Sequence, residues 1–490
     1  MSDSGFCLAT CQHCGQHIEF PAEGIGAAVA CPHCEQETIL DRIVTEVTDS
    51  NPESDNEINA GELKEAMTGS VSRRRISPFY QFGLLLVAIF MVLLPVAYLA
   101  FVGSIAYGTY WYGVHARVLF SSLSGGIYGL IFRAIIYIGP VLGGTVAVFF
   151  MFKPLLARPR KRVEPVELNP AQNPRLYQFI AHVSDLLQVP IPRRIYLDCE
   201  LNASAGLRRG VLSFFGQDLV LNLGLPLAAG LNTRQLAAVI AHELGHCTQA
   251  FAMRLGYLIN RIDSWFIRVV YERDSWDESF DEWANSVQDW RLSLIVVCAG
   301  IAIWFSRKVL ALLLLIGHAS SCFLSRQMEF HADSCATAVA GSAGLESLLL
   351  RLRELVVLEQ MGYDGLKHFW QKRHQLPDSL PDFLAQLESR VPPDFHGQAR
   401  MTLLNETAGW FATHPTPAKR IQKARQRAAE GIFNLEKPAR LLFHDFDGVA
   451  RTITQLHYQQ NLRLGVTSRM LRPATEFFPA KATDTEANES

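Results

Sequence analysis

Two long stretches without a charged side chain constrain the fold of this chain more than any other feature. No Asp, Glu, Lys or Arg occurs from Ile76 to Ala116, and residues 82–102 form an apolar core long enough to cross a bilayer of about 30 Å. A second uncharged stretch runs from Ala134 to Phe152 and contains glycines and a proline, which membrane helices tolerate. The sequence therefore predicts two transmembrane helices.

The composition and the basic flanks agree with a membrane protein. The chain is 49% hydrophobic and only 19% charged, and its net charge of -2 argues against nucleic acid as a partner. Arg73-Arg74-Arg75 precede the first apolar stretch and a basic run over 153–162 follows the second, while the connection between them carries only Arg117 and Arg133. Both outer flanks are predicted to be cytoplasmic, in a bacterial-type inner membrane, with the lipid bilayer as a partner.

The sequence His242-Glu243-Leu244-Gly245-His246 has the spacing of a catalytic zinc site. Residues four apart lie on one face of a helix, so both imidazoles can bind the same ion. Glu243 lies about 100° around the helix, where it could act as a general base on a water held by the metal. Asn232 and Gln235 resemble a capping box, and the apolar residues that follow predict a helix through the motif.

The N-terminus carries a second metal-binding pattern. Cys11 and Cys14 form one Cys-x-x-Cys knuckle, Cys31 and Cys34 form another, and sixteen residues separate them, which is the spacing of a zinc ribbon. Two disulfides are the alternative, but a cytoplasmic location is reducing and favours zinc. A four-thiolate site leaves no open coordination position, so we expect this structural zinc module to recognise a protein partner or a substrate.

A catalytic zinc needs a third protein ligand, and three residues compete for that role. Glu329 is slightly favoured over His318 and His331, because Glu329 and Asp333 are four apart on one helical face. In that arrangement Glu329 binds the metal and Asp333 orients a ligating imidazole from behind.

These motifs together resemble the integral-membrane zinc metallopeptidases that include the HtpX heat-shock peptidase and the CaaX prenyl protease. The resemblance rests on the motif at 242–246, on Ser-Arg-x-x-Glu-x-x-Ala-Asp at 325–333, on Asn202-Ala203 and on His-Pro at 414–415 followed by Arg420. It covers roughly residues 160 to 430, and the zinc ribbon lies outside it. The order of the motifs is more specific than any one of them.

The resemblance implies roles for individual residues. His242, His246 and Glu329 would be zinc ligands, Glu243 the general base and Asp333 the partner of a ligating histidine. His414 and Arg420 would lie near the active site, where they could stabilise the tetrahedral oxyanion, although surface positions at a helix start are an equal alternative. We also expect Leu219 to Leu223 to offer a strand edge to an extended peptide, with Leu219, Leu221 and Asn202 contacting the substrate.

Another apolar stretch, Leu292 to Leu324, separates the two halves of this site. If His246 and Glu329 bind one ion, the chain between them must cross the membrane an even number of times. Ser306-Arg307-Lys308 interrupts the stretch, and its arms are shorter than the ~20 residues of an upright span. A helical hairpin or two short spans are therefore favoured over a buried soluble helix.

The predicted fold is a mainly α membrane protein with a zincin-like α+β catalytic domain and a small N-terminal zinc ribbon. The segments are a ribbon (1–40), a flexible acidic linker (41–75), two transmembrane helices (76–155), the first catalytic part (156–291), the membrane-associated stretch (292–324), the second catalytic part (325–472) and a disordered tail (473–490).

The expected function is zinc-dependent endopeptidase activity on polypeptides, including membrane or misfolded proteins. A catalytically silent membrane receptor or scaffold with a structural metal site is the alternative, and the intact Glu243 argues against it. Prenyl-peptide processing is a third hypothesis, disfavoured because the chain has too few clear spans to enclose an intramembrane chamber.

Overall fold

The computed structural model describes residues 6–478. It leaves out 11–16, 22–26, 33, 35, 40–57, 68, 70, 72–77, 117, 119–125, 157–164, 209–217, 249, 273–281, 283, 287–289, 408 and 410–411. The chain forms two compact units, Met1–Ile58 and Asn59–Ser490.

The N-terminal unit contains two antiparallel strand pairs. Strand β1 (Phe6–Thr10) pairs with β2 (His17–Pro21), and β3 (Ala28–Ala30) pairs with β4 (Glu37–Ile39). Cys31 follows β3 directly and is buried, and its backbone N–H donates to the carbonyl of Gln36 at 2.9 Å. Cys11 and Cys14 lie outside the described residues, so the zinc ribbon stays a prediction.

The larger unit is mainly helical. Its helices are α1 (Ala60–Ala66), α2 (Pro78–His115), α3 (Ile127–Leu156), α4 (Pro174–Leu187), α5 (Leu225–Gly230), α6 (Thr233–Gly245), α7 (Ala250–Tyr271), α8 (Trp290–Arg373), α9 (Leu380–Glu388), α10 (Phe395–Leu404), α11 (Pro417–Arg427) and α12 (Phe446–Leu456). Its strands are β5 (Val166–Glu167), β6 (Arg194–Asp198), β7 (Ala203–Leu207), β8 (Leu219–Gly224), β9 (Leu376–Pro377) and β10 (Leu471–Arg472). Short 3-10 turns at Ala439–Leu442, Ser468–Met470 and Ala474–Phe477 and a π-helical turn at His457–Asn461 complete it.

Apolar helices form a bundle. In the described part of the chain three helices are long and apolar enough to cross a membrane, within Pro78–His115, Ile127–Lys153 and Val296–Arg373. Helix α2 has 38 residues and is therefore about 57 Å long, more than a bilayer core requires. Its buried face packs against α7 and α8, and the Tyr98 hydroxyl donates to the carbonyl of Met151 on α3 at 2.7 Å. The two predicted transmembrane helices are thus present as apolar helices of sufficient length.

The stretch 292–324 corrects the expectation of a hairpin or two short spans. It is continuous helix within α8, because Ser306-Arg307-Lys308 contains no helix breaker and the Ser306 hydroxyl lies in the bundle, 2.6 Å from the Tyr98 hydroxyl. The hairpin is instead formed by α7 and α8, which pack with Asp263 opposite Ser321. Gly256 lies beside Met328 and Asp263 beside Ser321, so α7 and α8 run antiparallel.

Two predicted boundaries are also wrong. Part of the expected flexible linker folds as α1, where Leu63 and Met67, four residues apart, are buried in the larger unit. At the C-terminus, Phe477 is buried and Phe478 stacks on Phe383 with ring centroids 5.2 Å apart, so ordered structure continues past Pro473. Both segments are polar overall, but each contains two apolar side chains that pack against the folded chain and order it locally.

The catalytic sheet has the strand order β5-β6-β8-β7. Strand β6 runs parallel to β8, and β7 pairs antiparallel with β8, with Ala205 opposite Leu221. This arrangement contradicts the expectation that Leu219 to Leu223 offers an edge to substrate, since β8 is paired on both sides and Leu219 and Leu221 are buried. The edge on the side of α6 is β7.

A break at Gly341 separates the two halves of α8. Gly341 has φ +82°, and a Cβ there would overlap the carbonyl oxygen of Glu430. Gly341→Ala should therefore destabilise the protein by about 2 kcal/mol or more, measured as a lower midpoint of thermal unfolding in detergent. Gly397→Ala is the control, because Gly397 lies in α10 with open space around its Cα, and it should leave the midpoint unchanged or raise it. Equal midpoints for the two variants would contradict this account of the break.

His457 is a buried histidine whose burial lowers its pKa to about 4. Its Nε2 lies 2.8 Å from the Tyr363 hydroxyl. Because the unfolded chain binds a proton below a pKa of about 6.5 and the folded chain does not until about 4, stability falls as the pH drops through this window. Between pH 8 and pH 5 the loss from this group should be about 2 kcal/mol, and His457→Gln should remove it. Denaturant titrations at both pH values test this, with the exposed His368→Gln as a control that keeps the full pH dependence.

Candidate metal and catalytic site

Helix α6 places two histidines on one face at its C-terminal end. The predicted capping box is present: the Asn232 side chain accepts from the backbone N–H of Gln235, and the Gln235 side chain accepts from that of Asn232. Gly245 lets α6 approach α8 closely, since a Cβ at this position would lie 3.0 Å from the Cα of Ala332. The local sequence thus fixes both the start of the helix and its distance from α8.

Helix α8 brings a carboxylate to these histidines. The Nε2 atom of His242 lies 3.5 Å from Glu329 Oε2, and the Nε2 atom of His246 lies 3.7 Å from Glu329 Oε1. One possible ligand atom from each of the three residues lies within 4.8 Å of the other two. The structure therefore brings together the three residues that the sequence singled out.

The two competing third ligands lie elsewhere. His318 faces Asp263 in the α7 and α8 hairpin, with Nδ1 3.7 Å from the carboxylate. The Nε2 atom of His331 lies 2.9 Å from the Thr248 hydroxyl. Of the alternatives left open by the spacing, only Glu329 reaches the histidine pair.

Asp333 and Arg420 lie on the Nδ1 side of His242, away from Glu329. The Nδ1 atom of His242 lies 3.2 Å from Asp333 Oδ1, which leaves Nε2 directed at Glu329. Arg420 donates two hydrogen bonds to the Asp333 carboxylate, at 2.9 and 2.6 Å. Arg420 thus lies at the site, as the resemblance implied, and two of its three guanidinium nitrogens hold Asp333 in place, while its role on an oxyanion stays a prediction.

His414 lies at the open side of the cluster. Its Nδ1 is 3.0 Å from Glu329 Oε2, and its side chain is 67% exposed. The neighbouring carboxylate of Glu329 raises the pKa of His414. The side chain is thus near the carboxylate yet accessible from the cleft, unlike Arg420.

The electrostatic field of the cluster favours a cation. Burial lowers the pKa of His242, but the carboxylates of Asp333 and Glu329 outweigh it and raise the pKa to about 9. Burial opposes ionisation of Glu329, yet its contacts with His242 and His414 hold the pKa well below its usual value. For His246, burial and the neighbouring His242 lower the pKa to about 4, so its imidazole is neutral and able to bind a metal.

The donor set and its surroundings fit a zinc ion. Two imidazoles and one carboxylate form a set that catalytic zinc takes, with a fourth position left open. Glu329 Oε2 is buried with the imidazoles of His414 and His242 at 3.0 and 3.5 Å, but among the described residues no donor is aligned with it for a hydrogen bond. A buried carboxylate oxygen without a well-aligned donor costs free energy, and a cation held by the same imidazoles would satisfy it.

Glu243 lies beside this cluster and is chemically distinct from it. Burial raises the pKa of Glu243, which makes its carboxylate a stronger base than an exposed one. The backbone N–H of Ala205 on β7 donates a hydrogen bond to it. Glu243 therefore lies between the cluster and the edge strand.

A cleft of about 340 Å³ opens over the site. Glu243, His246, Glu329 and His414 form its floor. Ser325 of the motif at 325–333 lies in its wall. The other wall residues are ones that the sequence analysis does not single out, namely Ala205, Gly206 and Leu207 of β7, Met253, Gly256, Tyr257 and Asn260 of α7, Met328 of α8, and Thr413.

The edge strand β7 lines the cleft, whereas the expected substrate residues do not. Asn202 precedes the strand and its carbonyl accepts from the backbone N–H of Gly224 at 2.8 Å. Among the described residues that line the cleft, β7 contributes Ala205 to Leu207 in place of the expected Asn202, Leu219 and Leu221. The polar face of α7 is the signal that could have identified the other wall, since Tyr257 and Asn260 recur at helical spacing.

A His-Glu-x-x-His helix, a glutamate from a second helix and a cleft bounded by an edge strand define a zinc metallopeptidase. The family model of peptidase family M48 matches residues 170–428, more than half of the chain. The chain belongs to peptidase family M48, which is a family of zinc metalloproteases. Comparison with curated proteins found none that matches it.

Proposed function

We propose that this protein is a membrane-bound zinc endopeptidase that hydrolyses polypeptides, including membrane and misfolded proteins. His242, His246 and Glu329 hold the zinc ion, and Glu243 is the general base. The observation that carries the proposal is the convergence of three ligand atoms within 4.8 Å, at the floor of a cleft that also exposes Glu243.

The residues of the cleft divide the chemistry between them. Zinc, when bound, polarises the scissile carbonyl and lowers the pKa of water. Glu243 accepts the proton of the attacking water and passes it to the leaving amine nitrogen. His414 donates a hydrogen bond to the developing oxyanion, and Arg420 with Asp333 keeps the imidazole of His242 oriented.

An extended substrate adds to β7. This strand is paired only with β8 in the described sheet, and its residues Ala205 to Leu207 line the cleft. Main-chain hydrogen bonds recognise a polypeptide whatever its sequence, which suits unfolded substrates better than small molecules.

The second zinc is structural and lies in the N-terminal unit. Cys11, Cys14, Cys31 and Cys34 supply four thiolates, and each knuckle falls between two paired strands, as in a zinc ribbon. We assign to this module a protein partner or the delivery of substrate.

The catalytic unit and the ribbon face the cytoplasm, in a bacterial-type inner membrane. Support comes from the basic residues that flank the apolar helices α2 and α3 on their outer sides. Added protease should degrade the ribbon in inside-out vesicles and spare it in spheroplasts, and the reverse pattern would refute this orientation.

The full-length protein in lipid vesicles tests the proposed activity. A permanently unfolded polypeptide and a single-span membrane protein are offered as substrates, beside a folded soluble protein. We expect cleavage of the first two and little of the third. An active preparation that cleaves only the folded protein would refute the substrate class, and cleavage of none would refute the activity.

A further inference from the structure

Helix α7 has a polar outer face at the depth of the apolar bundle. Its buried side packs in the bundle core through Ile259, Phe266 and Val269, together with buried residues of α2 and α8. Its opposite side carries polar or amphipathic residues within an arc of about 100° of the helix. These residues, which we call the α7 outer face, are Tyr257, Asn260, Arg261, Ser264, Arg268 and Tyr271.

Lipid is an unsuitable neighbour for the α7 outer face. An arginine exposed at bilayer depth costs several kcal/mol unless it meets water or a polar partner. Arg261 is exposed, Arg268 is half-buried, and neither makes an ion pair with any residue in the part of the chain that the structure describes. Two guanidinium groups on one face, neither with an ion pair among the described residues, therefore call for a polar or acidic occupant.

The α7 outer face is continuous with the active-site cleft. Tyr257 and Asn260 belong to both, and the Arg261 guanidinium lies 5.9 Å from the centroid of the Tyr257 ring. Arg268 lies two turns further along α7, about 12 Å from Asn260, a distance that about four extended residues cover. A polypeptide held in the cleft thus reaches both arginines with the segment next to its scissile bond.

We propose that the α7 outer face is a binding site for the flanking segment of the polypeptide substrate, with Arg261 and Arg268 pairing with its acidic side chains. The inference rests on the proposed function. Arginine pairs carboxylates in bidentate geometry, so acidic flanks are preferred over neutral and basic ones. Because this face lies at the depth of the apolar bundle, the site serves segments that leave or enter the membrane beside the cleft.

Peptide extension tests this site. A soluble fluorogenic peptide that the full-length protein cleaves in detergent is extended at either end by four glutamates or by four glutamines. At low ionic strength the glutamate extension at one end should lower KM about tenfold relative to the glutamine extension, while kcat changes by less than about twofold. Added salt should weaken this preference.

The Arg261→Gln/Arg268→Gln double variant should lose the preference and cleave the unextended peptide like the wild type. Lys308→Gln is the matched control, an exposed cation on the other arm of the hairpin that lies 5.9 Å from the Trp304 ring, and it should keep the preference. The proposal is overturned if the wild type shows no preference for the glutamate extension, or if Lys308→Gln reduces that preference as much as the double variant does. It is also overturned if the double variant loses activity on the unextended peptide to the same extent as on the extended one.

Light scattering decides whether a second copy occupies this face. A wild-type dimer that becomes a monomer in the double variant would overturn the proposal in favour of self-association. If the wild type cleaves no peptide, the proposed function fails. If it cleaves peptides without regard to their flanks, only the site on α7 fails.

Discussion

Glu243→Gln should lower the rate of polypeptide hydrolysis by about a thousandfold and leave bound zinc and folding intact. Glutamine has the shape of glutamate but cannot accept a proton from water at neutral pH. Since burial disfavours the charged form of Glu243, the variant should unfold at the same or a higher temperature than the wild type. The measurements are kcat/KM on an unfolded substrate, zinc per chain and the thermal midpoint.

Glu406→Gln is the control for this prediction, because Glu406 is exposed and is not among the described residues that line the cleft. It should keep wild-type activity. A Glu243→Gln variant with full turnover would remove the general base from the account. A variant without zinc would show that Glu243 acts on the metal rather than on the proton.

Glu329→Ala should remove the catalytic zinc and reduce hydrolysis to background. The site would then retain two imidazoles, and loss of one of three ligands typically lowers zinc affinity by orders of magnitude. Metal analysis of the purified protein should give two zinc ions per chain for the wild type and one for this variant.

Cys31→Ser separates the two predicted metal sites. It should lose the other zinc ion, at the N-terminal unit, and still hydrolyse a short peptide, because the thiolates have no part in the reaction. A single zinc in the wild type that disappears with Glu329→Ala would refute the ribbon site. Loss of peptidase activity in Cys31→Ser would contradict the assignment of that zinc as structural.

The parts of the site that could be predicted from sequence are those fixed by local spacing. The capping box at Asn232 and the repeat of His242 and His246 both act within one helix, where 3.6 residues per turn determine which side chains meet. The spacing favours Glu329 because Asp333 follows it four residues on, again within one helix. The structure brings these residues together as the spacing implied.

Features that depend on pairing between distant segments could not be predicted in the same way. The apolar sequence of β8 does not distinguish an edge strand from a central one. The pairing of β7 with β8 decides that β7 is at the edge. Arg420 lies in a helix-start motif, and nothing local indicates that two of its guanidinium nitrogens bind Asp333, far earlier in the chain.

Composition was misleading where few residues determine the fold. The segment around Leu63 is acidic and polar, yet Leu63 and Met67 are buried and Glu62 pairs with Lys437, so α1 packs within the larger unit. In 292–324 the charged pair Arg307-Lys308 suggested an interruption, but both residues favour helix and α8 continues through them. The helix that packs antiparallel to α8 is the amphipathic α7, which carries arginines on its outer face.

Zinc dependence of hydrolysis tests the central claim most directly. The full-length protein is stripped with a chelator, and its rate on an unfolded polypeptide is then measured as zinc is returned. We expect the rate to fall to background and to recover in proportion to the zinc bound at the site of His242, His246 and Glu329, with no recovery in Glu329→Ala. Hydrolysis that persists in the stripped protein, or that returns equally in Glu329→Ala, would contradict the account.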